Sequence, residues 1–371
     1  MKVLVFGGTG FVGLNVAGAL LARGHAVTLF DRAGLPPGAG KEFAGYGDRL
    51  KAIQGDVTDD RAVQAAIASG HDAIVLGAAI TAGPAREASD PETILRVNLL
   101  AQTPILMAAR SNGVKRIINL SSAAAYGASA FRNVVLDEET PCDPASLYAI
   151  TKVASEKVAA RLADLWRQDI ISVRLSAVFG PWERSNDVRD TPSAPAQILA
   201  AMQEGRPATL PRPGVRDWIY AADVAEAVTL LIEAPQPRHR LYNISTGVEW
   251  SALQWGEALA ALHPGFVCRL ADAGAGAGHD RRPSCQSHVS PRCRFHHALR
   301  SAAESAQPNR ARQPNSSAMR ATDSGARSAG LCRSTVATSP ASVSRQTKPG
   351  CNAASASPHR NADHSTPVEM L

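Results

Sequence analysis

Met1-Lys2-Val3-Leu4-Val5-Phe6-Gly7-Gly8-Thr9-Gly10-Phe11-Val12-Gly13 decides the fold of this chain. A short apolar run enters a cluster of glycines, and a helical pattern follows over residues 11–23. Read from Gly8 the cluster is G-x-G-x-x-G; read from Gly7 it is G-x-x-G-x-x-G. Glycine permits the tight strand-to-helix turn and lets backbone N–H groups approach a pyrophosphate at the helix N-terminus. Glycine clusters are common in plain turns, but this one lies between a strand and a helix. Asp31 ends a second strand 18 residues after Gly13, near the offset of an acid that grips adenosine ribose hydroxyls. Gly7, Gly10, Phe11, Val12, Gly13 and Asp31 together point to a bound dinucleotide. Asp31 favours NAD, because a carboxylate repels a 2′-phosphate. Arg32 beside it would accommodate that phosphate, which leaves NADP as the alternative. Asp56 and Val57 follow the third strand, where Asp56 reads equally as a contact to the adenine amino group or as the start of a helix.

Outward from this turn, strand patterns at 2–6, 26–30, 51–54, 72–76, 116–120 and 170–175 alternate with helical ones at 11–23, 60–69, 92–111 and 146–166. Nearly continuous apolar strands between helices predict an α/β fold, a Rossmann-type doubly wound parallel sheet covered on both faces. From Gly180 the pattern loosens around six prolines between 181 and 213. Order returns as a helix from about Asp223, a strand at 241–244 and a helix from Ser251. Residues 1–180 read as the dinucleotide-binding domain and 181–266 as a small substrate-binding subdomain, with about 220–245 returning to the core. The last segment of that subdomain falls where the character of the chain changes.

That change comes at Cys268. The 104 residues from there contain nine Leu, Ile, Val and Phe and five of the six cysteines. So few apolar groups cannot offset the entropy of ordering, and residues 267–371 are expected to be a disordered, basic, low-complexity tail. The tail also carries the charge. The whole chain is +6, but residues 268–371 hold +8 and residues 1–267 hold −2. A basic tail binds polyanions without specificity and says nothing about the work of the first 267 residues, so no specific nucleic-acid partner is expected. The make-up of the tail is that of a GC-rich gene read out of frame after about residue 267–280; an uninterrupted authentic frame on resequencing would contradict this. Cys285, Cys293, His296 and His297 lack any Cys-x-x-Cys pair, and no metal is expected. The apolar start is too short and glycine-bound for a signal peptide, no stretch approaches a membrane span, and only Cys142 precedes the tail. A reduced, cytoplasmic protein is the expectation.

Tyr148 and Lys152 lie four apart in a helical pattern, which puts them on one face. A free phenol, with a pKa of about 10, is a poor base at neutral pH; a cation one turn away favours the phenolate. Ser122, at the end of a strand, supplies a hydroxyl to orient a reacting oxygen. A Y-x-x-x-K spacing is common on solvated helices, and Tyr126 has Ala130 where its lysine would stand.

These residues resemble the extended short-chain dehydrogenase/reductases, the NAD-dependent epimerase/dehydratase group, over about residues 1–265. The resemblance rests on the glycines of 7–13, Asp31, Gly55-Asp56, Gly77-Ala78-Ala79, Asn98, Ser121-Ser122, Tyr126-Gly127, Tyr148 with Lys152, Arg174, Gly180-Pro181 and Arg216-Asp217-Trp218-Ile219-Tyr220. It implies a tightly placed NAD with Ala78, Ala79 and Asn98 among its contacts, and a Ser122–Tyr148–Lys152 triad. In that triad Tyr148 is the general base, Lys152 lowers its pKa and holds the nicotinamide ribose, and Ser122 polarises the substrate oxygen.

Members that dehydrate nucleotide sugars carry an Asp-Glu pair where this chain has Ala123 and Ala124, which argues against elimination of water. Cys142 precedes the tyrosine and does not fit a dedicated Cys/His epimerisation pair. What remains is oxidation of a secondary alcohol of a sugar or nucleotide sugar, with re-reduction (epimerase) or release of the oxidised product. Arg216 resembles a diphosphate-gripping arginine, or forms an ion pair with Asp217 or Asp223. Trp182 reads as a wall of the substrate pocket or as packing, and Thr81 is placed with the substrate residues. The alternatives are a dehydrogenase of a small hydroxy compound or sugar acid, with Arg216 binding its carboxylate, and an inactive dinucleotide-binding remnant. The resemblance also implies a homodimer built on the helical segments at 92–111 and 146–166.

Overall fold

A computed structural model describes residues 1–184, 188–271 and, for the backbone alone, 284–285. The central sheet contains β1 (Lys2–Phe6), β2 (Ala26–Asp31), β3 (Leu50–Gln54), β4 (Ala73–Leu76), β5 (Arg116–Ser122), β6 (Asp169–Leu175) and β7 (Leu241–Ile244). Its order is β7-β6-β5-β4-β1-β2-β3, and every neighbouring pair is parallel. The strand order reverses between β1 and β4. Loops leaving those two strands on the same edge therefore diverge and open a crevice.

Alternation along β1 shows how one strand serves two layers. Val3 and Val5 face one core with α1 (Phe11–Ala22) and α6 (Ala221–Glu233). Leu4 and Phe6 face the other, with α2 (Asp60–Ala68), α3 (Gln102–Ser111) and α4 (Leu147–Trp166). Each such aliphatic side chain contributes about 1.5–3 kcal/mol by leaving water. Arg23 at the end of α1 pairs with Glu226 and Glu233 of α6, tying the outer helices together.

The helix expected over 92–111 is broken. Pro91–Leu95 is α-helical, Arg96–Leu100 is a π-turn, and α3 follows. The inserted residue turns Asn98 inward, where it is 6% exposed. Its Nδ2 donates to Ile80 O at 2.9 Å and its Oδ1 accepts from Ile80 N at 2.7 Å. A π-bulge of this kind commonly marks a functional region; here it pins the loop after β4.

Past residue 176 a separate small core forms from α5 (Ala194–Gln203), α7 (Ala252–Leu262) and a cluster of rings. Phe179 stands 5.3 Å from both Trp250 and Trp255, centroid to centroid. Such edge-to-face pairs add to the area that the rings bury. The change in composition at Cys268 does not coincide with the end of regular structure. Cys268–Leu270 pairs in parallel with Ala208–Leu210, and Cys268 packs into this small core. Ser284–Cys285 pairs in the same sense with Val135–Leu136. Cys293, His296 and His297 lie outside the described residues, as does most of the expected tail. Among the described residues no helix is long and apolar enough to cross a membrane.

Candidate active site

The glycine turn is built for glycine alone. Gly7 has φ +73°, a left-handed conformation, and a Cβ there would stand 2.6 Å from Ala78 N. A Cβ on Gly13 would stand 2.2 Å from Gly7 O. The turn therefore closes with β1, α1 and the loop after β4 in backbone contact. Gly10 is the N-cap of α1 and provides no capping side chain, and the first turn carries no acid. Amides at Phe11 and Val12 thus remain for an anion.

From this turn a cleft of about 360 Å³ runs to the end of α4. Gly7, Gly10, Phe11, Val12 and Gly13 line it, with Asp31 and Arg32 at one end and Tyr148 and Lys152 at the other. Asp56, Val57, Ala78, Ala79 and Thr81 line it between. Asp31 Oδ2 accepts from Thr9 N at 3.1 Å, which fixes the carboxylate beside the turn. Asp56 does not start α2; Asp59 caps that helix by accepting from Arg61 N and Ala62 N. Asp56 Oδ1 instead accepts from Thr58 N and its hydroxyl, turning the chain at the cleft wall.

At the other end, Ser146 caps α4 by accepting from Ala149 N. The inner face of that helix carries Lys152, Ser155 and Glu156, all buried against β5 and β6. Glu156 pairs with Arg174 at 2.7 Å and accepts from Ser121, locking the helix to the sheet. Lys152 Nζ donates to Leu120 O at 2.8 Å and lies 5.6 Å from the centre of the Tyr148 ring. Burial pulls the Lys152 ammonium down to about 8, against the pull of Glu156 upward. Burial pushes the Tyr148 phenol up, while hydrogen bonds to Ser122 and Thr81 and the charge of Arg189 draw it down. Ser122 also accepts from Ala124 N, which sets its rotamer.

Three residues expected at the site stand elsewhere. Asn98 holds Ile80 from behind the cleft wall, so it shapes the loop that delivers Thr81. Trp182 lies with its ring 6.1 Å from that of Phe43 and packs over Gly38, away from the cleft. Arg216 lies in a two-residue strand paired with Trp250–Ser251, and its Nη1 donates to its neighbour Val215 O at 2.6 Å. It does not line the cleft. Asp217, a suggested ion-pair partner, accepts from Thr246 N and its hydroxyl and from Gly247 N. Tyr126, far from a solvated helix face, is fully buried, and its hydroxyl donates to Asn243 Oδ1 and Asp137 O. Cys142 Sγ accepts from the structural Arg174, and burial raises its thiol.

Arg184 and Arg189 line the cleft and were not singled out from the sequence. Arg184 Nη2 donates to Thr9 O at 3.2 Å. The only local signal was charge, Glu183-Arg184 and Arg189-Asp190, in a proline-rich loop. The contacts that bring them in span more than a hundred residues.

Residues 3–245 match the model of the NAD dependent epimerase/dehydratase family. A UDP-glucose 4-epimerase of Corynebacterium glutamicum is 28% identical over 265 residues, 68% of this chain and 78% of that protein. A dTDP-glucose 4,6-dehydratase of Mycolicibacterium smegmatis is 31% identical over 232 residues, 62% of this chain and 67% of that protein. Among solved structures, the Thermus thermophilus UDP-glucose 4-epimerase complex with NAD superposes with a TM-score of 0.67 at 24% identity, covering 82% of this chain and 99% of that one.

Proposed function

The chain belongs to the NAD-dependent epimerase/dehydratase family, and on that premise we propose that it oxidises a secondary alcohol of a sugar or nucleotide sugar, as an epimerase or related oxidoreductase. The observation that carries this reading is the continuity of one cleft from an uncapped helix N-terminus to a tyrosine hydroxyl held by Ser122 and Thr81. A glycine turn that a single Cβ would fill fits the diphosphate of a dinucleotide. The amides of Phe11 and Val12 would hold that diphosphate, with Gly7, Gly10 and Gly13 giving it room. Asp31 would take the adenosine ribose, and Asp56 and Val57 the adenine edge. Ala78 and Ala79 would flank the cofactor, and Tyr148 and Lys152 the nicotinamide ribose. NAD, when bound, accepts and returns the hydride.

The protein's own part is to move a proton. Tyr148 takes the proton of the substrate hydroxyl, and the hydroxyls of Ser122 and Thr81 keep phenol and substrate oxygen in line. Burial leaves the Tyr148 phenol above its ordinary range; Lys152, cationic below about pH 8 and one turn away, would favour the phenolate that this transfer requires once cofactor and substrate are in place. Ala123 and Ala124, in the turn after Ser122, offer neither acid nor base for losing water, which supports re-reduction or release of the ketone over dehydration. A homodimer belongs to the same proposal: Leu100 and Met107 beside and on α3, and Ile150 and Leu165 on α4, are exposed, an apolar face that a second copy would cover.

Native mass spectrometry of the purified chain tests the reading. An epimerase recycles its cofactor and is expected to retain NAD. A protein that arrives empty, binds added NAD and releases ketone is the dehydrogenase. One that binds no NAD contradicts the proposal.

A further inference from the structure

One cation of the cleft, Arg184, lies against the glycine turn and takes no part in the proton transfer. Its Nη2 donates to Thr9 O at 3.2 Å. Thr9 stands between Gly8 and Gly10, is 2% exposed and is itself fixed: its N–H donates to Asp31 Oδ2 and its hydroxyl to Ala33 O, each at 3.1 Å. Among the described residues the bond to Thr9 is the one polar contact of Arg184, and no carboxylate pairs with it.

The loop that carries Arg184 is held on both sides. Asn15 Nδ2, on α1, donates to Pro181 O at 2.9 Å. Glu183 accepts from Ser193 N and Ser193 Oγ at 2.7 Å each, at the N-cap of α5. The Trp182 ring packs over Gly38 between these two ties. Arg184 therefore reaches the turn from a segment anchored both to α1 and to the small core.

That placement is unfavourable by itself. A helix N-terminus has a partial positive charge, and α1 has neither a capping side chain nor an acid in its first turn. Asp31, the acid bonded to Thr9 N, forms no ion pair with Arg184. A guanidinium bonded two residues before Phe11 thus adds charge of the same sign to the end of the helix. An anion in the cleft would offset both charges, and the fork of an arginine matches two phosphate oxygens at once.

We infer that Arg184 is a clamp on the diphosphate of the bound dinucleotide: its remaining N–H groups share the phosphate oxygens with the amides of Phe11 and Val12 and slow release of the cofactor. This rests on the reading that a dinucleotide occupies the cleft with its diphosphate at the glycine turn. A cofactor held in this way is recycled in place, which favours the epimerase over an enzyme that must exchange NAD at each turnover.

The test is calorimetric titration of the full chain with NAD, ADP-ribose and UDP, together with the rate at which the loaded chain loses NAD after dilution, read by native mass spectrometry. Arg184→Met is expected to bind NAD and ADP-ribose about tenfold or more weakly than the parent and to lose NAD faster. Its UDP affinity, and its unfolding temperature without NAD, should match the parent. Arg184→Lys, which keeps the charge without the fork, is expected to lie between. An NAD affinity that falls by less than about tenfold in Arg184→Met overturns the assignment. So does a loss for NAD that ADP-ribose does not share, a loss confined to UDP, or a drop in the unfolding temperature of the NAD-free variant. A parent chain that binds no NAD contradicts the reading beneath the inference as well, so the two failures are told apart by the unaltered protein.

Discussion

The two ends of the cleft are built by different means. At the cofactor end the wall is backbone: glycines whose missing Cβ atoms allow β1, α1 and the loop after β4 to touch. At the substrate end the wall is side chain. Arg189, Glu183 and Ser193 of one loop and Thr81 of another meet through an ion pair and hydrogen bonds. Backbone walls depend on residue type at fixed local spacing, so they leave a signature in sequence. Side-chain walls depend on where loops land, and their signature is scattered.

The largest expected effect lies at the end of the cleft that holds Tyr148. Tyr148→Phe should lower kcat by about 10³, within the usual range for a general base, with NAD affinity unchanged by calorimetry. A loss below about tenfold would move the proton transfer elsewhere. Next comes the backbone wall. Gly13→Ala sets a Cβ 2.2 Å from Gly7 O, which should cost about 3 kcal/mol of stability and abolish NAD binding. Normal NAD affinity in that variant would break the contrast between the two ends.

Lys152→Met separates function from stability. Burial holds the ammonium at about 8 against an ordinary 10.5, so below about pH 8 the folded state bears a penalty of about 3 kcal/mol. The unfolded chain binds the extra proton between those values, so wild-type stability from this group rises as pH climbs from about 8 to 10.5. Less about 1 kcal/mol for the lost bond to Leu120 O, the variant should be about 2 kcal/mol more stable at pH 7 and almost inactive. That gain should fade by pH 10.5 in urea unfolding. The smallest effect is expected outside the cleft: Arg216→Ala and Trp182→Ala should each change KM less than about threefold, measured on whichever sugar substrate turns over. A large rise in KM for Arg216→Ala would return that residue to the substrate wall.

The same contrast explains what was legible in the sequence. All six strands read from its first 175 residues lie in the sheet, and Leu241–Ile244 is its seventh strand. Burial is nearly continuous in β1, β4, β5 and β6, which makes them visible without partners, whereas β3 at the sheet edge is mostly exposed. Gly7 to Gly13, Asp31, Tyr148 and Lys152 stand together in one cleft because local spacing places them on the strand ends and on one helix face. Asn98, expected as a cofactor contact, instead holds Ile80 from behind the cleft wall, on a π-turn that an apolar pattern does not reveal. Arg189 was missed because its partners Glu183 and Ser193 lie in a loop without periodicity, and its position comes from pairing with Thr81, a hundred residues earlier. Trp182 and Arg216 do not line the cleft. Their motifs are local, but the cleft they were assigned to is not.

The most direct measurement is rapid mixing of NAD-loaded protein with a panel of sugars, sugar acids and nucleotide sugars, following the near-ultraviolet absorbance of reduced nicotinamide. Wild type should show the absorbance rise with at least one member of the panel, and Tyr148→Phe should show almost none while binding NAD equally well. An equal rise in both proteins, or none in wild type across the panel, would contradict the account.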